Sequence, residues 1–255
     1  MSEGEINTEK IHNFFNNFLN QVKYEGIFGI ANFSSVFNNL IFEQQNKLKQ
    51  LLQNQFIKYL VTGSIISLGI FYCSETIDFI NVEKNGKTDK DLWNRYGDDY
   101  LHLNELLKTI SQKIAEKYNG LAIPPTTETP SQEVKNVKDY FPKTISHRVV
   151  AEYAGIGWRG INELIVTEEH GPIVRLASVL INIPLIQGKK MESKCGNCSA
   201  CLDVCPILKN KTNLEDYREL CRKYMLSLGL KHDVCGKCIK ACIKNSNFKD
   251  QFKKN

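Results

Sequence analysis

The chain has 255 residues, of which 42% are hydrophobic and 24% charged, and its formal net charge is +5. This composition is typical of a globular protein, and the absence of any run of about 18 apolar residues argues against a membrane-spanning helix. Residues 1–7 lack the basic and apolar regions of a secretory signal. We therefore expect a cytoplasmic protein that does not contact a membrane.

The spacing of apolar residues predicts both helices and strands before residue 187. Helical spacing is found at residues 8–23, 34–55, 89–117 and 147–153. Apolar or β-branched runs that predict strands or extended segments are found at 27–32, 64–72, 121–123, 163–166 and 172–184. Interleaved helices and strands indicate an α/β core over residues 1–187, followed by a small cysteine-rich domain over residues 188–255.

A glycine-rich segment follows the predicted helix that begins at His147. Gly155, Gly157 and Gly160 match the G-x-G-x-x-G spacing of a dinucleotide-binding loop. Such a loop follows a strand and opens a helix, whereas here a helix precedes the glycines and a predicted strand follows them. The order of elements argues against NAD, although glycines still allow backbone amides to approach a ligand closely.

Eight of the nine cysteines lie in the last quarter of the chain. The first four form the ferredoxin run C-x2-C-x2-C-x3-C-P, which ends at Pro206. All eight are candidate ligands: Cys195, Cys198, Cys201, Cys205, Cys221, Cys235, Cys238 and Cys242. Eight thiolates are what two [4Fe–4S] clusters need, and this run fits a cluster better than a four-cysteine zinc site. The ninth, Cys73, is interpreted as a small core residue.

The assignment of cysteines to clusters follows from a rule of two-cluster ferredoxins, in which the fourth cysteine of a run binds the other cluster. By this rule Cys242 completes the cluster held by the first three cysteines of the ferredoxin run. The second cluster is then held by Cys205, Cys221, Cys235 and Cys238. The isolated position of Cys221 predicts a helix between the two runs, near residues 214–228.

Several segments in the same order resemble the epoxyqueuosine reductases and their relatives. They are the glycine segment from Ala154 to Pro172, the strand from Leu176 to Leu185, the segments Arg95–Tyr100 and Arg218–Tyr224, and the cysteine runs. The resemblance covers about residues 25–245. It implies an α/β (α+β) core related to flavin nitroreductases, a C-terminal two-cluster ferredoxin-like domain and a bound cobalamin. The same arrangement occurs in reductive dehalogenases.

The resemblance also implies candidate site residues. Asp139 and Pro142 keep the spacing of the family's acidic proton donor, and His147 is a second candidate for proton transfer. The candidate cofactor contacts are Gly155, Gly157, Trp158, Gly160, Asn162 and Arg148. Structural ion pairs are the favoured interpretation for Arg148 and Arg175, with contact to a corrin carboxamide or a phosphate as the alternative. The family's lysine after the last glycine is replaced by Ile161.

The function that we expect is an iron–sulfur oxidoreductase of the epoxyqueuosine reductase-like type. Two [4Fe–4S] clusters would pass electrons from a ferredoxin or flavodoxin to a cofactor, either cobalamin or FMN, and then to an unknown substrate. The chain ends soon after Cys242, without the family's tRNA-binding repeats, so we do not expect tRNA as the substrate. The alternative is a non-catalytic ferredoxin-like protein that serves a corrinoid or other redox partner. The basic residues after 208 are interpreted as a solvated surface, with docking of an acidic partner as the alternative.

Overall fold

A four-stranded antiparallel sheet forms the centre of the protein in the computed structural model, which describes residues 1–126, 135–211 and 213–245. The sheet consists of β1 (Gly26–Asn32), β2 (Ser64–Phe71), β5 (Leu121–Ile123) and β8 (Val174–Ile181), in the spatial order β1-β2-β8-β5. Two small hairpins add β3 (Glu83–Lys84) with β4 (Lys87–Thr88), and β6 (Trp158–Arg159) with β7 (Ile165–Val166). The fold is therefore mixed α/β.

Helices cover both faces of the sheet. Before the glycine segment they are α1 (Glu3–Val22), α2 (Phe33–Phe37), α3 (Phe42–Leu52), α4 (Phe56–Thr62), α5 (Ser74–Asp78), α6 (Lys90–Lys117) and α7 (His147–Tyr153). In the cysteine-rich segment they are α8 (Ala200–Val204), α9 (Leu214–Ser227) and α10 (Lys237–Asn245). Four short 3-10 turns lie at Gln53–Gln55, Val137–Asp139, Phe141–Lys143 and Leu208–Asn210.

The two central strands are apolar along their whole length because both of their faces are covered. Every residue of β2 is buried, and neighbouring residues point to opposite faces. Ile66 and Leu68 pack in the core under α1 and α6, whereas Ile65 packs in a second core under α2, α3 and α7. The antiparallel register pairs Ser67 with Ser178 across the middle of the sheet.

The long helix α6 carries several polar residues to one end of the sheet. Its first turn is capped by Asp89, whose side chain accepts a hydrogen bond from the Leu92 amide at 3.0 Å. Its buried face includes Trp93, Tyr96 and Asn104 as well as aliphatic residues. The helix therefore places aromatic and amide side chains beside β2 and β8.

The cysteine-rich segment shares its packing with the main core. Ile239 and Ile243 of α10 belong to the same apolar cluster as Trp93, and the Trp93 indole N–H donates to the Cys235 carbonyl at 2.8 Å. Gly236 has a φ of 76°, and a Cβ atom there would lie 2.6 Å from Ile80. Only glycine combines this backbone conformation with so close an approach.

Most elements predicted from the sequence are confirmed, with shorter strands at two places. The strand predicted at 163–166 is limited to β7, and the one predicted at 172–184 is limited to β8. The prediction that Cys73 is a core residue is wrong, because Cys73 lies after β2 as the N-cap of α5 and its side chain is exposed. Within the described ranges, no helix is both long and apolar enough to cross a membrane.

Candidate cluster-binding and cofactor site

Four cysteines from two parts of the chain line one open cavity. The ferredoxin run contributes Cys195, Cys198 and Cys201, and α10 contributes Cys242. The cavity has a volume of about 370 Å³ and is completed mainly by Trp158, Ile161, Asn162, Val166, Glu168, Lys194 and Asn245. Burial and the three neighbouring thiols raise the pKa of Cys242 to about 12. We name these four residues the outer cysteine group.

The other four cysteines form a second set, which we name the inner cysteine group: Cys205, Cys221, Cys235 and Cys238. Burial, followed by the neighbouring Cys205, raises the pKa of Cys221 to about 11. Burial also raises the pKa of Cys238, and Cys235, Cys221 and Cys205 are the thiols that add most to the shift. Cys235 and Cys238 pack against the main core, so this group lies between the core and α9.

The two groups differ from the site of a single metal ion. Among the residues that the structure describes, no three cysteine, histidine or acidic side chains are close enough to hold one ion. A cluster of four irons and four sulfides separates its ligands more widely than one ion does. Burial, and after it the neighbouring thiols, raises the pKa of Cys238, and a positively charged iron centre would offset both effects. Each group offers four thiols, the number of ligands that one [4Fe–4S] cluster takes.

Arg148 lies beside the inner cysteine group. Its guanidinium donates to the Glu163 carbonyl oxygen, and Glu163 also pairs with Lys211. Burial lowers the pKa of Arg148, while the nearby Tyr217, Glu163 and Cys221 oppose this shift. Arg148, which was predicted to contact a cofactor, is thus a cation near Cys221, where it would offset the negative charge of a cluster.

The glycine segment packs against protein backbone. A Cβ atom on Gly155, which has a φ of 72°, would lie 2.4 Å from the Lys189 carbonyl oxygen. A Cβ atom on Gly157 would lie 2.4 Å from the Val166 carbonyl oxygen, and one on Gly160 would lie 2.8 Å from the Asn162 side chain. These close approaches account for glycine at the three positions. A role of the glycines in binding a corrin or a flavin stays a prediction.

Trp158 and Asn162, the other two predicted cofactor contacts, both line the cavity of the outer cysteine group. The Asn162 side chain accepts a hydrogen bond from the Leu164 amide at 3.1 Å, which fixes the turn between β6 and β7. Trp158 is 4% exposed, and its indole N–H has no partner among the described residues. Both residues therefore lie beside the outer cysteine group.

The two predicted proton donors have structural partners. Asp139 is exposed and caps a 3-10 turn by accepting a hydrogen bond from the Asn136 amide at 3.2 Å. The ring of His147 is buried, with Nε2 2.8 Å from the Pro124 carbonyl oxygen and Nδ1 2.8 Å from the Ser178 hydroxyl. Because a carbonyl can only accept, Nε2 carries the proton and Nδ1 accepts from Ser178.

Burial also lowers the pKa of His147 to about 4, and the nearby Arg175 acts in the same direction. The ring is therefore neutral near pH 7 and links the end of β5 to β8. A catalytic role for Asp139 or His147 stays a prediction.

The sequence did not predict that several polar residues meet at one end of the sheet. Arg175 on β8 contacts Tyr100 and Asn104 of α6, and the Tyr72 ring packs against the tilted Tyr96 ring nearby. The ion pair expected for Arg175 is not found, since its hydrogen bonds within the described ranges go to Asn104 and to the Thr126 carbonyl. A sign of this group in the sequence was Arg175, a charged residue within the apolar, β-branched run that predicted a buried strand.

Comparison with known proteins identifies relatives. No protein-family model matches the chain. An epoxyqueuosine reductase of Bacillus cereus is 37% identical over 112 residues, which cover 44% of this chain and 26% of that protein. A crystal structure of a selenomethionine-labelled epoxyqueuosine reductase superposes with a TM-score of 0.53 at 20% identity, covering 94% of this chain and 67% of that one. The match to the curated relative thus spans about a quarter of its length.

A further solved structure is similar at a lower TM-score. It is an epoxyqueuosine reductase with an epoxyqueuosine-modified tRNA stem loop, and it superposes with a TM-score of 0.43 at 22% identity. It covers 82% of this chain and 56% of that one. The expectation that tRNA is not a substrate of this chain stays a prediction.

Proposed function

Because this chain is a relative of the epoxyqueuosine reductases, we propose that it is an iron–sulfur oxidoreductase with two [4Fe–4S] clusters. One cluster would be held by the outer cysteine group and the other by the inner cysteine group. Such clusters supply one-electron transfer when they are bound. The relatives that carry this argument are matched over part of their length only, so substrate and activity belong to the proposal.

The observation that carries the proposal is the division of eight cysteines into two sets of four. The lining of one cavity joins Cys242 to the first three cysteines of the ferredoxin run. The rule that the fourth cysteine of a run serves the other cluster predicts this set. Such an arrangement is expected of a two-cluster electron-transfer module and is not needed by a protein with structural zinc alone.

The remaining residues support this role through charge and packing. Arg148 lies beside Cys221 and places a buried positive charge next to the inner cysteine group. Lys194 precedes Cys195 at the open cavity and pairs with Glu168. Exposed Cys198 marks the side from which a ferredoxin or flavodoxin would deliver electrons. We place the electron exit on the inner side, where the cysteines adjoin the core.

A cobalamin or flavin is supported by the resemblance alone. The glycines that were expected to cradle it are closely approached by the backbone of Lys189 and Val166. We therefore assign no residue of the glycine segment to a corrin or to FMN. Whether either cofactor binds elsewhere in the chain is decided by titration.

The experiment is anaerobic reconstitution followed by iron and sulfide assays. We expect about eight irons per chain, and about four would contradict the two-cluster assignment. Substitution of Cys242 by alanine is expected to remove the cluster of the outer group and leave the inner one. Stoichiometric bound zinc without any iron–sulfur absorbance after reconstitution would overturn the proposal entirely.

The same reconstituted protein separates the candidate functions. Cobalamin and FMN are titrated separately, and a change in the absorbance of either cofactor identifies it as a ligand. An epoxyqueuosine-modified tRNA stem loop is added in a third titration, with an unmodified stem loop as its control. Intact clusters with no response in all three arms would favour the non-catalytic electron-transfer protein over the reductase.

A further inference from the structure

We propose that Arg175, with the tyrosines around it, forms a binding site for the anionic group of a small ligand, a carboxylate or a phosphate. The site lies at the end of the sheet beside the inner cysteine group. Binding of the anion does not depend on the proposed function. The further step, that the anion belongs to the substrate of the reductase, does rest on it.

The guanidinium of Arg175 is held in one orientation by neutral groups. Its Nε and Nη2 lie 3.0 and 2.9 Å from the Asn104 side-chain oxygen, and Nη2 lies 2.9 Å from the Thr126 carbonyl oxygen. Its carbon atom lies 3.9 Å from the centre of the Tyr100 ring, a cation–π distance. The Tyr100 hydroxyl also donates to the Thr126 carbonyl, at 3.0 Å. The N–H donors of the Arg175 guanidinium are therefore held in a fixed orientation before any ligand binds.

The positive charge of Arg175 has no carboxylate partner within the described ranges. Arg175 is half-buried; burial lowers its pKa, but the surrounding tyrosines, Tyr100 foremost, raise the pKa by more, so the guanidinium stays charged. Arg222 provides the contrast, because it forms two hydrogen bonds with the carboxylate of Glu219. A preorganised and uncompensated guanidinium is an arrangement that recognises carboxylate or phosphate oxygens.

A second observation points to a ligand at the same place. The hydroxyl of Tyr72 is buried, makes no well-formed hydrogen bond among the described residues, and interacts with the Tyr96 side chain. Burial raises the pKa of Tyr72 well above its usual range, so the hydroxyl keeps its proton and can donate it in a hydrogen bond. An anion beside Arg175 would offer this donor a charged acceptor in place of the neutral Tyr96 side chain.

The site adjoins the inner cysteine group through packed rings. The ring centres of Tyr72 and Tyr96 are 5.2 Å apart. A Cβ atom on Gly236, which lies between Cys235 and Cys238, would be 2.9 Å from the Tyr96 ring. Electrons leaving the inner group would therefore arrive close to a bound anion.

The surroundings also limit the kind of ligand. Arg175 is the cation of this group, since the buried His147 ring is neutral near pH 7. One guanidinium and neutral phenols suit a small ligand with one anionic group. A polyanion such as a nucleic acid backbone would need a broader cationic surface.

The test measures binding of inorganic phosphate and of benzoate to the anaerobically reconstituted protein by isothermal titration calorimetry. Comparison of the two probes distinguishes a phosphate site from a carboxylate site. Arg175→Gln is expected to weaken binding of the preferred anion at least about tenfold, because charged hydrogen bonds are lost. Arg175→Lys should keep part of the affinity, since it retains the charge without the fork.

Two further variants separate binding from folding. Asn104→Asp places a carboxylate where Arg175 already donates, so it should abolish anion binding while the protein stays folded. Arg95→Gln removes an exposed arginine of the same helix that stacks on Phe79, and it should bind the anion as the parent does. All three variants near the site should keep the iron content of the parent.

The proposal is overturned if neither probe binds, or if Arg175→Gln and Asn104→Asp bind the anion as the parent does. Equal losses in Arg95→Gln would mean that net charge, not this site, attracts the anion, and would also overturn it. Failure of the proposed function is a separate result, because that appears as missing iron in the parent protein.

Discussion

The two cysteine groups contain the same ligands but lie in different surroundings. The outer cysteine group opens to solvent through its cavity and includes the exposed Cys198. The inner cysteine group rests on the main core, where Trp93 binds the Cys235 carbonyl and Tyr96 contacts Gly236. The outer group therefore faces solvent beside the β6–β7 hairpin, and the inner group is part of the packing that holds the segment to the main core.

This difference assigns separate tasks to the two groups. Solvent exposure and hydrogen bonds tune the reduction potential of a cluster, so two clusters in unlike surroundings need not share one potential. The outer group is suited to exchange electrons with a partner protein. The inner group is suited to pass them toward Tyr96 and Arg175, and its loss should also disturb the fold.

The largest expected effect is the loss of an inner ligand. Cys238→Ala should remove about four irons per chain and lower the free energy of unfolding by on the order of 4 kcal/mol, the range in which loss of a bound metal falls. Iron assays and anaerobic thermal unfolding measure the two effects. The control is Cys198→Ala, which should also lose iron but cost less stability. Greater destabilisation by Cys198→Ala would reverse the comparison.

The stability measurements on the two cysteine groups must be made at one pH, because His147 makes the free energy of unfolding depend on pH. The folded pKa of about 4 lies below the usual value of 6.5, so the unfolded state takes up a proton first as pH falls. This contribution to stability is complete above pH 6.5 and is lost between pH 6.5 and 4. Its total is roughly 3 kcal/mol, at about 1.4 kcal/mol for each pH unit.

His147→Gln should remove this part of the pH dependence. Gln can still donate to the Pro124 carbonyl, but it does not titrate. Anaerobic urea unfolding at pH 7 and pH 5.5 is expected to show about 1 kcal/mol more loss in the parent than in the variant. Equal losses in both proteins would show that the folded ring accepts a proton as readily as the unfolded one.

The two tryptophans of the chain provide a smaller test, since each lies beside one cysteine group. Trp93→Phe leaves the Cys235 carbonyl without its donor and should cost about 1–3 kcal/mol. Trp158→Phe removes an indole N–H that has no partner in the described part of the chain, so it should cost less than about 1 kcal/mol. Both are measured by anaerobic thermal unfolding. A larger loss from Trp158→Phe would indicate that its N–H bonds to a bound cluster.

The sequence predicted those parts of the fold that depend on local patterns. The β-branched run at 64–72 became β2, and the apolar periodicity at 89–117 became α6. The ferredoxin spacing, with its rule for the fourth cysteine, predicted the four residues that line one cavity. Each of these signals is carried by residues that are close in sequence or by a fixed spacing.

Contacts between distant segments could not be predicted in this way. The glycine spacing gave no sign that Gly155 meets the Lys189 backbone, and it suggested a ligand in its place. His147 looked available for proton transfer because its partners, Ser178 and Pro124, lie 31 and 23 residues away. Arg175 looked like an ion-pair residue for the same reason. Only the fold shows that its acceptors are neutral.

The smallest expected effect concerns Cys73, the cysteine that belongs to neither group. It is exposed at the N-terminus of α5, and its side chain forms no cap hydrogen bond. Cys73→Ser should therefore keep about eight irons per chain and change the free energy of unfolding by no more than about 0.5 kcal/mol. Iron assays on the parent and the variant, reconstituted side by side, provide the measurement. A loss of about four irons would make Cys73 a ligand, and the division into an outer and an inner group of four would then be wrong.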